Sequence, residues 1–219
     1  MKRRLPPPLL AVSPGDLAAP VVPGFLAKLR AAVHGGLSGI VLREPAMGDR
    51  VLLELAREAR EMLPEDAWLG IHDRVHLADA ARADAVHLGF RSLTPLEARR
   101  ILPDGIAIGF SAHEGDDLAH LAACDYVLFG PVFDTPSKRG WKDPVGLTGL
   151  ARAVDVCAVP VWAIGGLQPE HAAACALAGC AGIAARAGIF AAADPARATG
   201  DYRAAVETSF APKGTRDRA

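Results

Sequence analysis

The stretch Val159-Pro160-Val161-Trp162-Ala163-Ile164-Gly165-Gly166-Leu167-Gln168-Pro169-Glu170 sets the pattern for the whole chain. A short uncharged apolar run ends in two glycines. Gln168-Pro169-Glu170 then opens an Ala-rich segment that reads as a helix over Pro169–Leu177. An apolar run without polar alternation reads as a strand buried on both faces, the mark of a parallel sheet. Working outward, the same unit recurs. Apolar runs occupy Pro8–Val12, Gly39–Leu42, Trp68–His72, Ala85–Leu88, Ala107–Ser111, Tyr126–Gly130, Val159–Ile164 and Gly182–Ala185. Helical patterns follow at Pro23–His34, Val51–Met62, Leu77–Ala83, Thr94–Leu102, Asp116–Ala123, Gly146–Val154, Pro169–Leu177 and Asp194–Thr208. Thr94-Pro95 with Glu97 forms a capping box around a first-turn proline, and Asp194-Pro195 gives a similar start signal. Alternating strands and helices imply a closed barrel or a doubly wound sheet. Eight units in 219 residues favour the barrel, whose known lengths run from about 200 to over 400 residues. The expected fold is α/β, a single (β/α)8 TIM barrel over residues 1–219, with a polar tail from Ala211 that should fray.

Composition narrows the function. Hydrophobic residues make up 51% of the chain, enough for one large core. A net charge of −1 gives no sign of a nucleic-acid or membrane partner. No apolar run approaches the roughly 20 residues of a membrane span. The basic, Pro-interrupted start Met1–Pro8 is a poor signal peptide, so a cytoplasmic location is expected. Cys124, Cys157, Cys175 and Cys180 form no C-x-x-C pair and read as free buried thiols rather than metal ligands or disulfides. Homo-oligomerisation stays open.

In such barrels the chemistry sits at the carboxyl ends of the strands. Those ends carry Arg43-Glu44, His72-Asp73-Arg74, His87-Leu88-Gly89, Ser111-Ala112-His113, Gly130-Pro131, Gly165-Gly166 and Arg186-Ala187-Gly188. Bland readings stand beside the functional ones. Asp73 suits a helix cap, His87 a core histidine bonded to backbone, Arg43-Glu44 an internal ion pair, and His113 a plain loop residue. Gly165-Gly166 is harder to read blandly. Two glycines after a strand let backbone N–H groups approach an anion. With Ala187 and Gly188 they match the phosphate site common after the last two strands of these barrels. The long irregular stretch Gly130–Gly146 reads as a substrate-covering loop.

Tyr126–Lys138, Ala163-Ile164-Gly165-Gly166-Leu167, Val86-His87-Leu88-Gly89, Leu42-Arg43-Glu44, His72-Asp73-Arg74 and Gly109–His113 together resemble the signature motifs of the thiamine-phosphate synthase and TenI superfamily, in order over about residues 38 to 190. The resemblance implies one of two activities. A synthase joins a hydroxymethylpyrimidine pyrophosphate to a thiazole phosphate, with magnesium. A TenI-type thiazole tautomerase aromatises a carboxythiazole phosphate by proton transfer and needs no metal. A synthase would hold magnesium through Asp73 and a second carboxylate after strand four. The second place reads Gly89-Phe90-Arg91-Ser92, so that carboxylate is absent. Val41, Pro45 and His72 also depart from the synthase pattern.

On these grounds the expectation is a tautomerase with no cofactor, acting on a small phosphorylated thiazole. The synthase, with magnesium at Asp73, and a non-catalytic precursor-binding barrel are the alternatives. The implied catalytic residues are His113 as proton carrier, Ser111 and His72. Arg43, Lys138, Thr135 and His87 would bind substrate. Gly165, Gly166, Ala187 and Gly188 would bind phosphate, although Ala187 stands where the family often has serine.

Overall fold

The computed structural model describes residues 3–117, 119–135 and 143–211. Lys138 and the centre of the Gly130–Gly146 segment lie outside the described residues, as does the tail beyond Ala211. Eight strands form a closed barrel in sequence order: β1 Leu9–Val12, β2 Gly39–Leu42, β3 Trp68–His72, β4 Ala85–Leu88, β5 Ala107–Ala112, β6 Tyr126–Phe129, β7 Val161–Ile164 and β8 Gly182–Ala185. Every pairing is parallel, and β1 closes the ring against β8 through Leu9↔Ile183, Leu10↔Ala184 and Ala11↔Ala185. Strands buried on both faces cannot alternate polar with apolar residues, so each reads in sequence as a plain apolar run.

Helices α1 Val22–His34, α2 Asp49–Met62, α3 Pro95–Ile101, α4 Gly146–Val156, α5 Ala172–Leu177, α6 Ala187–Phe190 and α7 Pro195–Ser209 complete the described fold. The Thr94 hydroxyl accepts the Glu97 N–H while the Glu97 carboxylate accepts the Thr94 N–H, which completes the capping box and starts α3. Asp194 caps α7 through the Arg197 N–H. Two expected helices are shorter and tighter. After β3 there is only a 3-10 turn over Val75–Leu77 followed by turns, with Arg82 at φ +50°. After β5 there is a 3-10 segment over Ala119–Ala123. The Asp116 carboxylate, expected to open a helix, instead accepts the His113 backbone N–H at 2.8 Å. One helix had no sequence signal: α6 is four residues long, below the length at which periodicity can be read.

Alternate residues of each strand point to opposite sides, and this divides the core in two. Leu9, Ala11, Ile40, Leu42, Leu69 and Ile71 join the cluster between sheet and helices. Leu10, Val12, Val41, Trp68, Tyr126 and Trp162 fill the lumen. Trp68 and Trp162 each meet Tyr126 edge-on, with centroids 5.8 Å apart. Their indole N–H groups donate to Arg4 O at 3.1 Å and Pro7 O at 2.9 Å. Large residues near the amino ends face small ones across the lumen. A Cβ on Gly109 would lie 2.1 Å from the Tyr126 ring, and one on Gly182 would lie 2.4 Å from Trp162. Gly109→Ala should therefore cost about 1–3 kcal/mol of stability through overpacking. Denaturant unfolding that leaves the variant equal to wild type would contradict this lumen packing.

Candidate active site

Above the aromatic layer the lumen opens into a cavity of about 650 Å³ at the carboxyl ends of the strands. Its floor is a hydrogen-bonded row. The buried His87 ring bonds the Tyr126 hydroxyl through Nδ1 at 3.1 Å and the Ser111 hydroxyl through Nε2 at 2.8 Å. His87 is thus tied to side chains rather than to backbone, and it lines the cavity. His72 faces it from β3, with ring centroids 6.3 Å apart. Burial, and then Arg43, lower the His72 pKa to about 4. His87 is pushed the same way by burial, His72 and Arg43. Near neutral pH both rings are uncharged.

Arg43 and Glu44 do not form the internal ion pair that their adjacency suggests. Glu44 turns inward and is buried. Its carboxylate accepts the Ser13 hydroxyl at 2.5 Å and the backbone N–H groups of Gly15 at 3.0 Å and Leu17 at 2.8 Å. The Ser13 hydroxyl in turn accepts the Arg43 backbone N–H at 2.8 Å. Glu44 therefore fixes the β1–α1 loop, which frees the Arg43 guanidinium to line the cavity. Burial and the nearby Arg186 lower the Arg43 pKa, while Glu44 opposes the shift. A guanidinium stays charged regardless.

The glycine side of the cavity is built by backbone. Gly165 and Gly166 take φ of +98° and +65°. A Cβ on Gly166 would lie 2.4 Å from Asp134 O, so only glycine lets the β6 and β7 loops approach this closely. Phe133 stacks on His171 at 4.0 Å and pins the same two loops together. Across from them, a Cβ on Gly188 would lie 2.2 Å from the Tyr202 hydroxyl. That hydroxyl donates to Leu167 O at 2.6 Å, so α7 braces the glycine turn from behind. The N–H groups of Gly165 and Gly166 have no acceptor among the described residues.

The structure gathers His113, Ser111, His72, Arg43, Thr135, His87, Asp73, Gly165, Gly166, Ala187 and Gly188 around this one cavity. Lys138 lies outside the described residues. His113 stands at the rim, where its Nδ1 is 3.5 Å from Asp116 Oδ2. Asp73 does not cap the turn that follows it. It sits at φ +67° with its carboxylate 3.3 Å from Arg74 Nη1. Sequence reasoning undervalued two residues. Glu44 looked like half of an ion pair, and Arg186 stood only among the strand-end residues. Both take their meaning from the β1–α1 turn, since Arg186 Nη1 donates to Pro14 O at 3.1 Å. The donor set does not fit a magnesium site of two carboxylates. Ser92 and Arg91 occupy the second position, and among the described residues no group of three or more His, Cys, Asp or Glu side chains could hold a metal.

A (β/α)8 barrel with a glycine-built turn and an arginine-lined cavity at the carboxyl ends of its strands defines the class of fold and site. The particular family follows from comparison with known proteins. The family model described as thiamine monophosphate synthase matches residues 16–189, and the chain belongs to that family. A putative thiamine-phosphate synthase of Geobacter sulfurreducens is 38% identical over 196 residues, covering 88% of this chain and 90% of the relative. A thiamine-phosphate synthase of Albidiferax ferrireducens is 38% identical over 168 residues, covering 75% and 77%. The solved thiamine phosphate pyrophosphorylase of Pyrococcus furiosus superposes with TM-score 0.79 at 29% identity, covering 92% and 96%.

These findings overturn the expected tautomerase, because the similarity that spans most of the chain is to proteins named as synthases. The expectation rested on the missing carboxylate after strand four and on the departures at Val41, Pro45 and His72, local changes weighed against the whole barrel. The proton-carrying role for His113 belonged to that reaction and goes with it. Among the described residues no helix is long and apolar enough to cross a membrane.

The buried histidines give a pH signature. The folded His72 pKa is depressed, so between about 6.5 and about 4 the unfolded chain binds more protons than the folded one. Stability should therefore fall as pH drops through that window. The His72 ring should titrate near pH 4 by NMR, and His72→Gln should flatten part of the slope. A His72 midpoint near 6.5 would show that the ring is hydrated.

Proposed function

We propose that this chain is a thiamine-phosphate synthase, joining hydroxymethylpyrimidine pyrophosphate to a thiazole phosphate with release of pyrophosphate. The observation that carries the reading is 38% identity over 88% of the chain to a relative named for this reaction, though as putative. The cavity is compatible with it. About 650 Å³ falls within the roughly 300–1,000 Å³ of small-molecule sites.

The thiazole phosphate is assigned to the N–H groups of Gly165 and Gly166 and the facing Ala187-Gly188 segment. Charge-assisted bonds from backbone N–H groups suit a phosphate dianion. The neutral His72 and His87 rings and the Ser111 hydroxyl form a polar but uncharged floor against which two flat heterocycles can be held. Keeping that floor uncharged leaves the arginines as the cationic groups facing a leaving pyrophosphate. Charge that builds on the leaving group is best met by preorganised donors in a site closed to water. Thr135 and Lys138 are assigned to substrate through the strand-six motif. Asp73 alone is a weak magnesium anchor.

Purified protein given both substrates should form thiamine phosphate and release pyrophosphate in equal amounts. Gly166→Leu, which must strain a left-handed backbone and crowd Asp134 O, should weaken thiazole phosphate binding about tenfold or more. Absence of thiamine phosphate from a folded, substrate-saturated enzyme would end this reading.

A further inference from the structure

Arg186 lines the cavity, and its position asks for a specific partner. It follows β8, where the backbone leaves the strand at φ −115° and ψ −81°. Its Nη1 donates to Pro14 O at 3.1 Å. Arg43, at the end of β2, reaches the same β1–α1 turn from the other side. Its Nη1 lies 2.8 Å from where a Gly15 Cβ would stand. Both side chains line the cavity. The Glu44 carboxylate, adjacent to Arg43 in sequence, is committed to Ser13, Gly15 and Leu17 rather than to a guanidinium.

Two cations near one another repel, and the Arg186 charge lowers the Arg43 pKa. An anion placed between them reverses the sign of that interaction. Each guanidinium has five N–H donors in a planar fork, and Arg186 spends one on Pro14 O. The unspent donors suit phosphoryl oxygens approached from two directions. A single phosphate is already served by the glycine cradle on the β7 side. A diphosphate has two phosphoryl groups and can engage both forks.

We propose that Arg43 and Arg186 form a two-guanidinium clamp that binds a diphosphate directly, in the place where a second carboxylate would otherwise help hold a divalent cation. The clamp rests on the synthase reading only for naming the diphosphate as the pyrophosphate group of one substrate. It assigns Arg186 as a binding residue and makes affinity for pyrophosphate largely independent of magnesium.

The test is titration calorimetry with inorganic pyrophosphate, in excess EDTA and again in excess magnesium. Wild type should bind in EDTA, and magnesium should change its affinity by less than about threefold. Arg186→Gln should bind about tenfold more weakly or worse, and Arg186→Lys, which keeps the charge but loses the fork, should fall between. Inorganic phosphate, the second probe, should respond less to either variant. Wild-type affinity in Arg186→Gln, or pyrophosphate binding that disappears in EDTA, would overturn the clamp. If Arg186→Gln does not fold, Arg186→Lys decides, and an affinity equal to wild type rejects the forked contact. Thiamine phosphate formation is assayed in parallel. Arg186-dependent pyrophosphate binding without turnover would fault the assigned reaction alone. Turnover with Arg186-independent binding would fault the clamp alone.

Discussion

Tyr126 stands where the filled half of the barrel meets the open half. Its ring packs between Trp68 and Trp162, and its hydroxyl bonds His87. Together with Trp68 and Trp162 it fills a lumen narrowed by Gly70, Gly109 and Gly182. Above it, the lumen is lined by His72, His87 and Ser111 and stays open. A barrel interior is ordinarily packed to its full height. Here large side chains come from the amino ends of β3, β6 and β7, so the volume they occupy lies low. The cavity floor is therefore set by the same ring that seals the lumen. Burial also drives the Tyr126 phenol pKa well above its usual value, so the floor stays neutral.

The two rims of the barrel handle charge differently. At the amino rim Asp84 accepts the Leu69 N–H and pairs with Arg4 and Arg60. Asp125 accepts the Ile108 N–H and pairs with Arg3 and Arg99. Each carboxylate ties a neighbouring strand to two arginines. At the carboxyl rim Arg43, Arg91 and Arg186 line the cavity. Paired charges at the amino end hold the strands in place. At the carboxyl end Arg74 is paired with Asp73 and Asp49, while the three cavity arginines add positive charge that a low-dielectric cavity concentrates.

The strands were legible because burial on both faces erases polar residues from them. Ile40-Val41-Leu42 and Val161-Trp162-Ala163-Ile164 can be little else once eight such runs are counted. Helices were legible where capping chemistry was local, as at Thr94 and Asp194. The segments after β3 and β5 were not, because Ala-rich composition fits a tight turn as well as a helix. In the site, position at a strand end identified the glycines and histidines. Side-chain direction was beyond reach. Glu44 and Arg43 are neighbours in sequence, yet one points into the β1–α1 loop and the other into the cavity. Nothing local distinguishes that arrangement from an ion pair. The deciding donors, Ser13, Gly15 and Leu17, lie about thirty residues away.

The same distance explains why one motif misled the functional reading. The change from a carboxylate to Arg91 and Ser92 alters the charge of the mouth, and read alone it argues against a pyrophosphate reaction. Charge around an anion is a property of the whole rim. A lost carboxylate matters if it removes a cation that nothing replaces, and Arg43, Arg91 and Arg186 already line the mouth from the ends of three strands. A diphosphate needs positive charge in a preorganised arrangement. Arginine supplies that charge with no proton to lose near neutral pH. Set against three guanidiniums, the missing carboxylate no longer counts against handling a diphosphate, and the similarity along the barrel becomes the stronger guide.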